Sequence, residues 1–389
     1  MLQLAAALDR TRIETLAAFT SEGPILDYAR DLNVSAMVVP MESAFFYSAH
    51  VPLSSRMLIR FGVHYRSSVK TAETLVREFR PDVVHLNTSV LLPVAVGVKR
   101  AGAKLVWHVR EAAGPNPILR RWMVSQIQKF ADHIVVTSEY VGRTYMGAKP
   151  VTVLHNALDG DRFSPCGEAE RKTARAELNL PAHVAVVGII GSVQEAKGHS
   201  VLVRAAKKVV QLSPEFRFLV VAGGVPDSYS STLKGGVKRL LGLPNDNLER
   251  MRSMVAQSGL SANFVFCGFQ SDIPKVISAM DVLVFPSLIA EGFGRPIIEG
   301  MAVGCPVVAS DIGPSREIAG DAAVFVSPGN PDELAGAILT MLRDPEKARQ
   351  LSQAGRRRFL ERFEMKLAVG KLESVYQQVL NRQSTPVVA

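Results

Sequence analysis

Two glutamates flank a glycine turn in the sequence EGFGRPIIE, which runs from Glu291 to Glu299. An apolar run that predicts a strand comes before this motif, and an apolar stretch that predicts a helix follows it. A turn between strand and helix exposes backbone N–H groups and the positive end of a helix, which favours phosphate. Glu299 could accept hydrogen bonds from paired hydroxyls such as those of a ribose. By itself, this spacing more often marks a tight turn followed by a helix with exposed acids.

A second candidate motif is GSVQEAKG, which spans Gly191 to Gly198 and directly follows the apolar run Val184–Ile190. Gly191 ends the predicted strand, and Lys197 precedes a helix that should begin near His199. A lysine at such a position can neutralise a diphosphate as a point charge. The alternative is a surface loop with a solvated lysine. Both motifs follow strands of one sheet, at the edge where open α/β sheets bind ligands.

The elements that would position these motifs are short apolar runs that alternate with helical stretches. The predicted strands of the first half are Thr15–Thr20, Val34–Val39, Val83–Leu86, Leu105–Val109, Ile134–Thr137 and Val151–Leu154. Those of the second half are Val184–Ile190, Phe216–Ala222, Phe264–Cys267, Val282–Phe285, Val307–Ala309 and Val324–Val326. Most are continuously apolar, which is typical of strands covered on both faces in a parallel sheet. The sequence therefore predicts two doubly wound α/β domains.

The domain boundary is predicted in the Gly-, Pro- and Asp-rich segment Asp159–Gly167, before a helix over Glu168–Leu178. We expect one domain over residues 1–160 and a second over residues 161–360. Residues 361–389 should form a helical segment that packs back on the first domain. The stretch Pro345–Val379 is predicted to be a long amphipathic helical region.

The beginning of the sequence departs from a doubly wound domain, which normally opens with a strand and a glycine turn. Here Leu2–Leu8 already predicts a helix, and the next strand candidate is Thr15–Thr20. The first sheet is therefore expected to lack its opening strand. This pattern leads to the hypothesis that the chain is truncated, or that translation starts upstream of Met1.

Composition excludes several classes of protein. The chain has 389 residues, of which 47% are apolar and 21% charged, so it is neither a disordered tail nor a coiled coil. Its three cysteines lie far apart, which favours a reducing cytoplasm over a disulfide framework or a structural zinc site. No apolar run is long enough to span a bilayer, and residues 1–12 do not read as a signal peptide. The net charge of +9 indicates anionic partners, but no nucleic-acid-reading element is recognisable.

Several longer stretches resemble one family of enzymes. They are DVLVFPS, EGFGRPIIEGMAVGCPVVASDIGPSREI, the GS…KG loop, FCGF at Phe266–Phe269, HNALD at His155–Asp159, and PDVVHLN and VWHVRE in the first half. In these the sequence is similar to the retaining nucleotide-sugar glycosyltransferases of family four. That family has the GT-B fold of two facing Rossmann-like domains. The resemblance implies that residues 1–160 form the acceptor-binding domain and residues 161–360 the nucleotide-sugar-binding domain. The likeness covers nearly all of residues 1–380.

The resemblance implies roles for individual residues. Glu291 would contact the donor sugar, Glu299 would hold the ribose, and Lys197 would neutralise the diphosphate. Backbone amides of Phe293, Gly294 and Arg295 would approach the sugar and phosphates. His108 matches the position that faces the transferred sugar and the acceptor, although a lone histidine after Trp107 is more often structural. The implied catalytic residues are Glu291, His108 and Lys197, and the implied donor-binding residues are Gly191, Lys197, Phe293, Gly294, Arg295 and Glu299.

One residue departs from the family pattern, and one motif is a decoy. The family usually has arginine after the first glycine of the GS…KG loop, where this chain has Ser192. Arg295 could supply part of the missing charge. The Asp159–Asp161 segment is a D-x-D, the metal-binding signature of a different glycosyltransferase fold. Here it matches the family's interdomain connection, so we expect neither a metal nor another cofactor.

Charge patterning gives a hypothesis for the acceptor. Between Ser43 and Ala72 there are basic residues but no acid, and between Ala112 and Ala131 the same holds. The basic residues are Arg56, Arg60, Arg66, Lys70, Arg120, Arg121 and Lys129, and the aromatics among them are Phe45, Phe46, Tyr47, Phe61 and Tyr65. Such a surface would suit a lipid-linked acceptor on an anionic membrane. The alternative is that the aromatics belong to the core and the charges to a solvated face.

Taken together, the sequence predicts a metal-independent, retaining glycosyltransferase. It would move a sugar from a nucleotide diphosphate sugar to a glycan or lipid-linked acceptor, in the cleft between two domains and with an α-linkage. It would be cytoplasmic, or peripheral at the inner face of the membrane, and would serve polysaccharide biosynthesis. The alternative is a catalytically silent subunit that binds a nucleotide sugar or a partner protein.

Overall fold

The computed structural model describes residues 1–41, 55–212, 214–222 and 247–381. The chain divides into two compact units. The first comprises Met1–Ala157, Glu291–Phe293 and Met365–Ala389, and the second comprises Leu158–Ala290 and Gly294–Glu364.

The first unit contains two parallel sheets. Strands β1 (Leu16–Phe19) and β2 (Ser35–Val38) form a two-stranded sheet. Four further strands form the second sheet in chain order: β3 (Val83–Leu86), β4 (Lys104–Val109), β5 (His133–Val136) and β6 (Val151–Val153). The helices of this unit are α1 (Leu2–Ala6), α2 (Pro24–Asp31), α3 (Ser55–Phe79), α4 (Leu92–Arg100), α5 (Pro117–Phe130), α6 (Glu139–Tyr145) and α15 (Met365–Asn381).

Alternate residues of β4 explain why both faces of the four-stranded sheet are covered. Leu105 and Trp107 point into a core shared with α3 and α4, and neither is exposed. Val106 points to the other face, where it packs with Leu4 and with Leu372 of α15. A strand buried on both faces reads as a continuous apolar run, as the sequence pattern predicted.

The division of the first sheet confirms the expectation of a missing opening strand. Within the described residues, β1 pairs only with β2, and β3 pairs only with β4. In doubly wound folds the opening strand lies between the strand that follows it and the fourth strand, here β1 and β3. The helix predicted over Leu2–Leu8 is present as Leu2–Ala6.

The second unit contains one sheet of six parallel strands in the order β12-β11-β10-β7-β8-β9. The strands are β7 (Val186–Ile190), β8 (Arg217–Val221), β9 (Phe264–Phe266), β10 (Val282–Phe285), β11 (Val307–Ser310) and β12 (Ala323–Val326). Its helices are α7 (Glu168–Glu177), α8 (His199–Leu212), α9 (Asn247–Gln257), α10 (Ile273–Ser278), α11 (Arg295–Val303), α12 (Ser315–Ala319), α13 (Pro331–Arg343) and α14 (Pro345–Arg362). The strand order reverses beside β7, which is where open α/β sheets form a ligand-binding crevice.

The amphipathic helical region predicted over Pro345–Val379 is present, and it is divided near residue 363. The segment forms two helices, α14 and α15, because the backbone at Phe363 and Glu364 pairs with Leu158 instead of continuing the helix. The amide of Leu158 donates to the carbonyl of Phe363 at 3.0 Å, and the Phe363 side chain is fully buried. The first of the two helices belongs to the second unit, whereas the other belongs to the first unit.

Candidate active site

Two loops of the second unit meet at the carboxyl ends of the neighbouring strands β7 and β10. The first is the predicted Gly191–Gly198 loop, and the second begins at Pro286. The carbonyl of Ala196 accepts from the amide of Leu288 at 2.8 Å and from the Ser287 hydroxyl at 3.1 Å. The structure therefore brings the segments that follow two adjacent strands into direct contact.

Gly198 is required by the close approach of these two loops. Its φ of +73° lies in the left-handed region, and a Cβ there would collide with the carbonyl of Pro286. Lys197 immediately precedes it and ends a short 3-10 helix, and α8 begins at His199 as predicted. Gly191, at φ +139°, makes the other turn of the loop. The two glycines thus fix the backbone that carries Lys197.

Glu299 lies in α11 and is buried, with 4% of its surface exposed. Its Oε1 accepts from Nε of Arg295 at 2.8 Å, one helical turn away. Burial raises the pKa of the Glu299 carboxyl, and the Arg295 guanidinium acts in the opposite direction. The Arg295 guanidinium contacts Glu299 through Nε, and the side chain is 54% exposed. Gly294 caps the amino end of α11.

Glu291, Gly292 and Phe293 are grouped with the first unit. The carbonyl of Gly292 accepts from the Thr137 hydroxyl at 3.0 Å and from the Ser138 hydroxyl at 2.8 Å. Both hydroxyls follow β5, and a Cβ on Gly292 would collide with the carbonyl of Arg110, just beyond β4. The backbone beside Glu291 is therefore held at the carboxyl ends of β4 and β5.

Phe293 lies close to another stretch that the family resemblance singled out. Its ring centroid is 5.9 Å from that of His155, in the HNALD stretch. Like its neighbour Gly292, Phe293 is buried.

His108 lies in β4 with 2% of its surface exposed. Its Nδ1 is 3.2 Å from Nε2 of His85 in β3, and Nδ1 of His85 is 2.9 Å from the hydroxyl of Tyr376 in α15. Within the described residues, Nε2 of His108 has no hydrogen-bond partner. Burial lowers the pKa of His108 well below its ordinary value and that of His85 to about 3, so both rings are neutral at pH 7.

The predicted site residues fall into two groups in the structure. The second unit holds Gly191, Lys197, Gly294, Arg295 and Glu299, and the first unit holds His108, Glu291 and Phe293. Sequence reasoning missed the residues that support the group in the first unit, namely Thr137, Ser138, His85 and Tyr376. His85 was visible inside the PDVVHLN stretch, but nothing in the pattern singled out Tyr376, which is far away along the chain.

The carboxylate of Asp159 in the D-x-D segment has a structural contact. Its Oδ1 accepts from the amides of Asp161 and Arg162, at 2.9 Å and 3.2 Å. An aspartate that accepts from amides two and three residues further on stabilises a turn.

Helices α3 and α5 form a surface of the first unit, which we call the α3–α5 surface. Phe61 packs with Met123 of α5, and both Phe61 and Tyr65 pack against the core of the first unit. For these two aromatics the structure agrees with the alternative in which the aromatics belong to the core. Phe45, Phe46 and Tyr47 lie outside the described residues. The exposed side chains of this surface include Leu58, Ile59, Arg60, Val63, Arg66, Lys70, Arg77, Glu78, Ile118, Arg120, Arg121, Trp122 and Lys129. Among the helices in the described ranges, none has the length and apolar character needed to cross a bilayer.

Comparison with known proteins identifies the class. The chain matches the model of Glycosyltransferase Family 4 over residues 1–162 and that of Glycosyl transferases group 1 over residues 170–358. Two Rossmann-like domains with these matches define a glycosyltransferase of the GT-B fold. The chain belongs to the family-four type of these enzymes.

The curated relatives are distant. The 2-deoxystreptamine glucosyltransferase of Streptomyces kanamyceticus is 26% identical over 85% of this chain and 74% of that protein. The D-inositol 3-phosphate glycosyltransferase of Mycobacterium tuberculosis is 28% identical over 80% of this chain. This chain covers 63% of the mycobacterial protein, which is less than two thirds of its length.

Solved structures show the same fold. A glycosyltransferase from Rickettsia africae matches with a TM-score of 0.77 and 18% identity, over 98% of this chain and 94% of that one. Anabaena HepE, solved in complex with UDP and glucose, matches with a TM-score of 0.76 and 21% identity, over 97% and 94%.

Proposed function

We propose that this protein transfers a sugar from a nucleotide diphosphate sugar to a glycan or lipid-linked acceptor, with retention of configuration and without a metal or other cofactor. The observation that supports this most is the contact between the Lys197 loop and the segment after β10, with the buried Glu299 in the same unit. The HepE structures, which contain UDP or UDP-glucose, favour a nucleotide sugar as the donor.

In this proposal Lys197 and the backbone amides of Gly294 and Arg295 stabilise the leaving diphosphate. A cation and helix-terminal amides held in fixed positions stabilise charge as it develops, without having to reorganise. Gly198 supports this role because it fixes the backbone on which Lys197 sits. The amide of Phe293 would approach the sugar, and an oxygen of the diphosphate would take the acceptor proton.

The two glutamates have different roles in this mechanism. Glu299 holds the ribose in the same way before and during the reaction, so it contributes to binding. Glu291 faces the sugar while positive charge develops at the anomeric carbon, so its charge acts mainly in the transition state. Removal of one such electrostatic group costs roughly 2.7–4 kcal/mol of barrier, or about 100- to 1,000-fold in rate.

The test measures two quantities on Glu291→Gln, Glu299→Ala and the exposed control Glu22→Gln. These are the calorimetric affinity for free nucleotide diphosphates and the transfer or donor-hydrolysis rate at saturating donor. We expect Glu291→Gln to lose rate but keep affinity, Glu299→Ala to lose affinity, and the control to change neither. A wild-type protein that binds nucleotide but neither transfers nor hydrolyses any donor would instead be a silent subunit.

We further propose that the α3–α5 surface binds an anionic membrane that carries the acceptor. It combines exposed apolar side chains, with Ile118 79% and Val63 69% exposed, with the arginines Arg120 and Arg121. This combination is typical of segments that insert shallowly into lipid headgroups while basic residues contact anionic lipids.

Vesicle sedimentation tests the membrane proposal. Wild type should bind vesicles of phosphatidylglycerol and phosphatidylcholine but not phosphatidylcholine alone. Ile118→Ser should bind about tenfold more weakly, because burying one large apolar side chain contributes roughly 1.5–3 kcal/mol. Leu212→Ser, at an exposed apolar position of the second unit, is the control and should bind like wild type. Equal binding to both kinds of vesicle would contradict the proposal.

A further inference from the structure

Three polar side chains of the first unit form a continuous chain that ends at His108. Tyr376 lies in α15, His85 in β3 and His108 in β4. The hydroxyl of Tyr376 is 2.9 Å from Nδ1 of His85, and Nε2 of His85 is 3.2 Å from Nδ1 of His108. The ring centroids are 5.8 Å and 5.3 Å apart. We call this set the Tyr–His–His chain.

The number of protons in the Tyr–His–His chain limits how its three side chains can be hydrogen-bonded to one another. A neutral imidazole carries one N–H and one acceptor nitrogen, and a tyrosine hydroxyl has one proton to donate. Burial is the main cause that lowers the pKa of each histidine, so both rings are neutral at pH 7. Each ring can therefore donate from only one of its nitrogens.

One arrangement satisfies more groups than the other. If Tyr376 donates to Nδ1 of His85, then Nε2–H of His85 donates to Nδ1 of His108, and His108 carries its own proton on Nε2. In the reverse direction the Tyr376 hydroxyl would accept from His85, and among the described residues it would have no acceptor for its proton. Burial raises the pKa of the Tyr376 hydroxyl, and a desolvated donor without an acceptor is costly, so the first arrangement is favoured.

The first arrangement leaves one group unsatisfied. Nε2–H of His108 is buried, and within the described part of the chain it meets no hydrogen-bond acceptor. His85 and Tyr376 are half-buried, and the hydrogen-bonding atoms of both have partners. A buried donor without an acceptor is a natural place for a ligand oxygen.

We propose that Tyr376 and His85 are positioning residues that fix His108 in the Nε2–H tautomer, so that it donates to an oxygen of the bound ligand. The identity of that ligand rests on the proposed function, in which it is the sugar of the donor and the oxygen is a hydroxyl. Tyr376 and His85 act only through His108 and do not touch the sugar themselves.

The test begins with the ligand-free full chain, labelled with ¹⁵N in its histidines. The nitrogen shifts and their couplings to ring protons report which nitrogen of His108 carries the proton, and His108→Gln assigns the signals. We expect Nε2–H in wild type. Tyr376→Phe removes only the hydroxyl, so His108 should become a mixture of tautomers whose two nitrogen shifts move towards each other. Tyr28→Phe, on α2, is the control and should leave the spectrum unchanged.

Kinetics then separate positioning from general damage. In Tyr376→Phe the transfer rate at saturating donor should fall about 5- to 30-fold, while affinity for the free nucleotide diphosphate stays within about twofold, since the diphosphate lacks the sugar. His85→Gln keeps one acceptor and one donor, so it should retain more activity than His85→Leu.

Two results would overturn the proposal: an Nδ1–H tautomer of His108 in wild type, or an unchanged His108 signal in Tyr376→Phe. A protein with the expected tautomer that transfers no sugar from any donor would refute the proposed function but support the tautomer assignment. The two failures can therefore be distinguished.

Discussion

Substitution of Gly198 by alanine should damage both the stability of the second unit and its affinity for nucleotide. Gly198 and Gly259 both have φ close to +70°, at +73° and +71°. They differ in their surroundings, because a Cβ on Gly198 would collide with the Pro286 carbonyl, whereas one on Gly259 would have no atom within 4 Å. The pair therefore separates the effect of backbone conformation from that of the collision.

The expected losses of stability follow from these two effects, the left-handed backbone conformation and the collision. Alanine in the left-handed region costs roughly 1–2 kcal/mol, and Gly259→Ala should show only this term. Gly198→Ala adds overpacking against the backbone, typically 1–3 kcal/mol, so its total should be about 2–5 kcal/mol. Domains are typically stable by about 5–15 kcal/mol, and most of the expected range of loss is smaller than this, so both variants should still fold.

The assay is urea unfolding of both variants, followed by calorimetric titration with nucleotide diphosphates. Displacement of the Lys197 loop should lose a charge-assisted hydrogen bond of about 1.5–3 kcal/mol, which weakens nucleotide binding by about tenfold or more in Gly198→Ala. Gly259→Ala should bind like wild type. Equal loss of stability in both variants, or unchanged affinity in Gly198→Ala, would refute the argument that this close approach positions Lys197.

Three further predictions concern charge. Ser192→Arg should tighten nucleotide diphosphate binding and speed transfer, because it adds a planar cation beside Lys197; a lower kcat would show that another group already occupies that space. Arg295→Gln removes the cation that lowers the pKa of Glu299, so the decline of nucleotide affinity on acidification, measured by titration from pH 8 to pH 5, should begin at a higher pH than in wild type. Finally, His85 has a folded pKa of about 3 against an ordinary 6.5, so its stabilising effect is complete above pH 6.5 and is lost as the pH falls towards 3. Between pH 7.5 and 5 this amounts to about 2 kcal/mol of unfolding free energy, which His85→Gln should remove from the pH dependence of urea unfolding.

The strands were predictable because each is a continuous apolar run between polar segments. The predicted Val282–Phe285 and Val83–Leu86 have the same bounds in the structure. Lys197, Glu291 and Glu299 were likewise predicted as site residues from local motifs, since each lies beside a glycine turn or at a fixed distance from one. Such signals depend only on neighbours along the chain.

The remaining features depend on contacts between distant residues. The break between α14 and α15 contains neither glycine nor proline, so no local signal marks it. At this point the backbone pairs with Leu158. The approach of Gly292 to Thr137 and Ser138 joins segments more than 150 residues apart. Tyr376 reads as an ordinary residue of an amphipathic helix, and only the fold places its hydroxyl beside His85.

The divided sheet of the first unit has a consequence for local stability. In the described part of the chain, β1 pairs only with β2 and β3 only with β4, so one edge of β1 and one edge of β3 are not hydrogen-bonded to a neighbouring strand. Strand β1 is also thinly covered, with Leu16 42% exposed, whereas β4 is almost wholly buried. Backbone amides of β1 and β2 should therefore exchange with solvent deuterium through small, local openings, and those of β4 and β5 only when most of the unit unfolds. The first unit would then consist of a durable four-stranded core and a β1–α2–β2 segment that opens and closes independently of it.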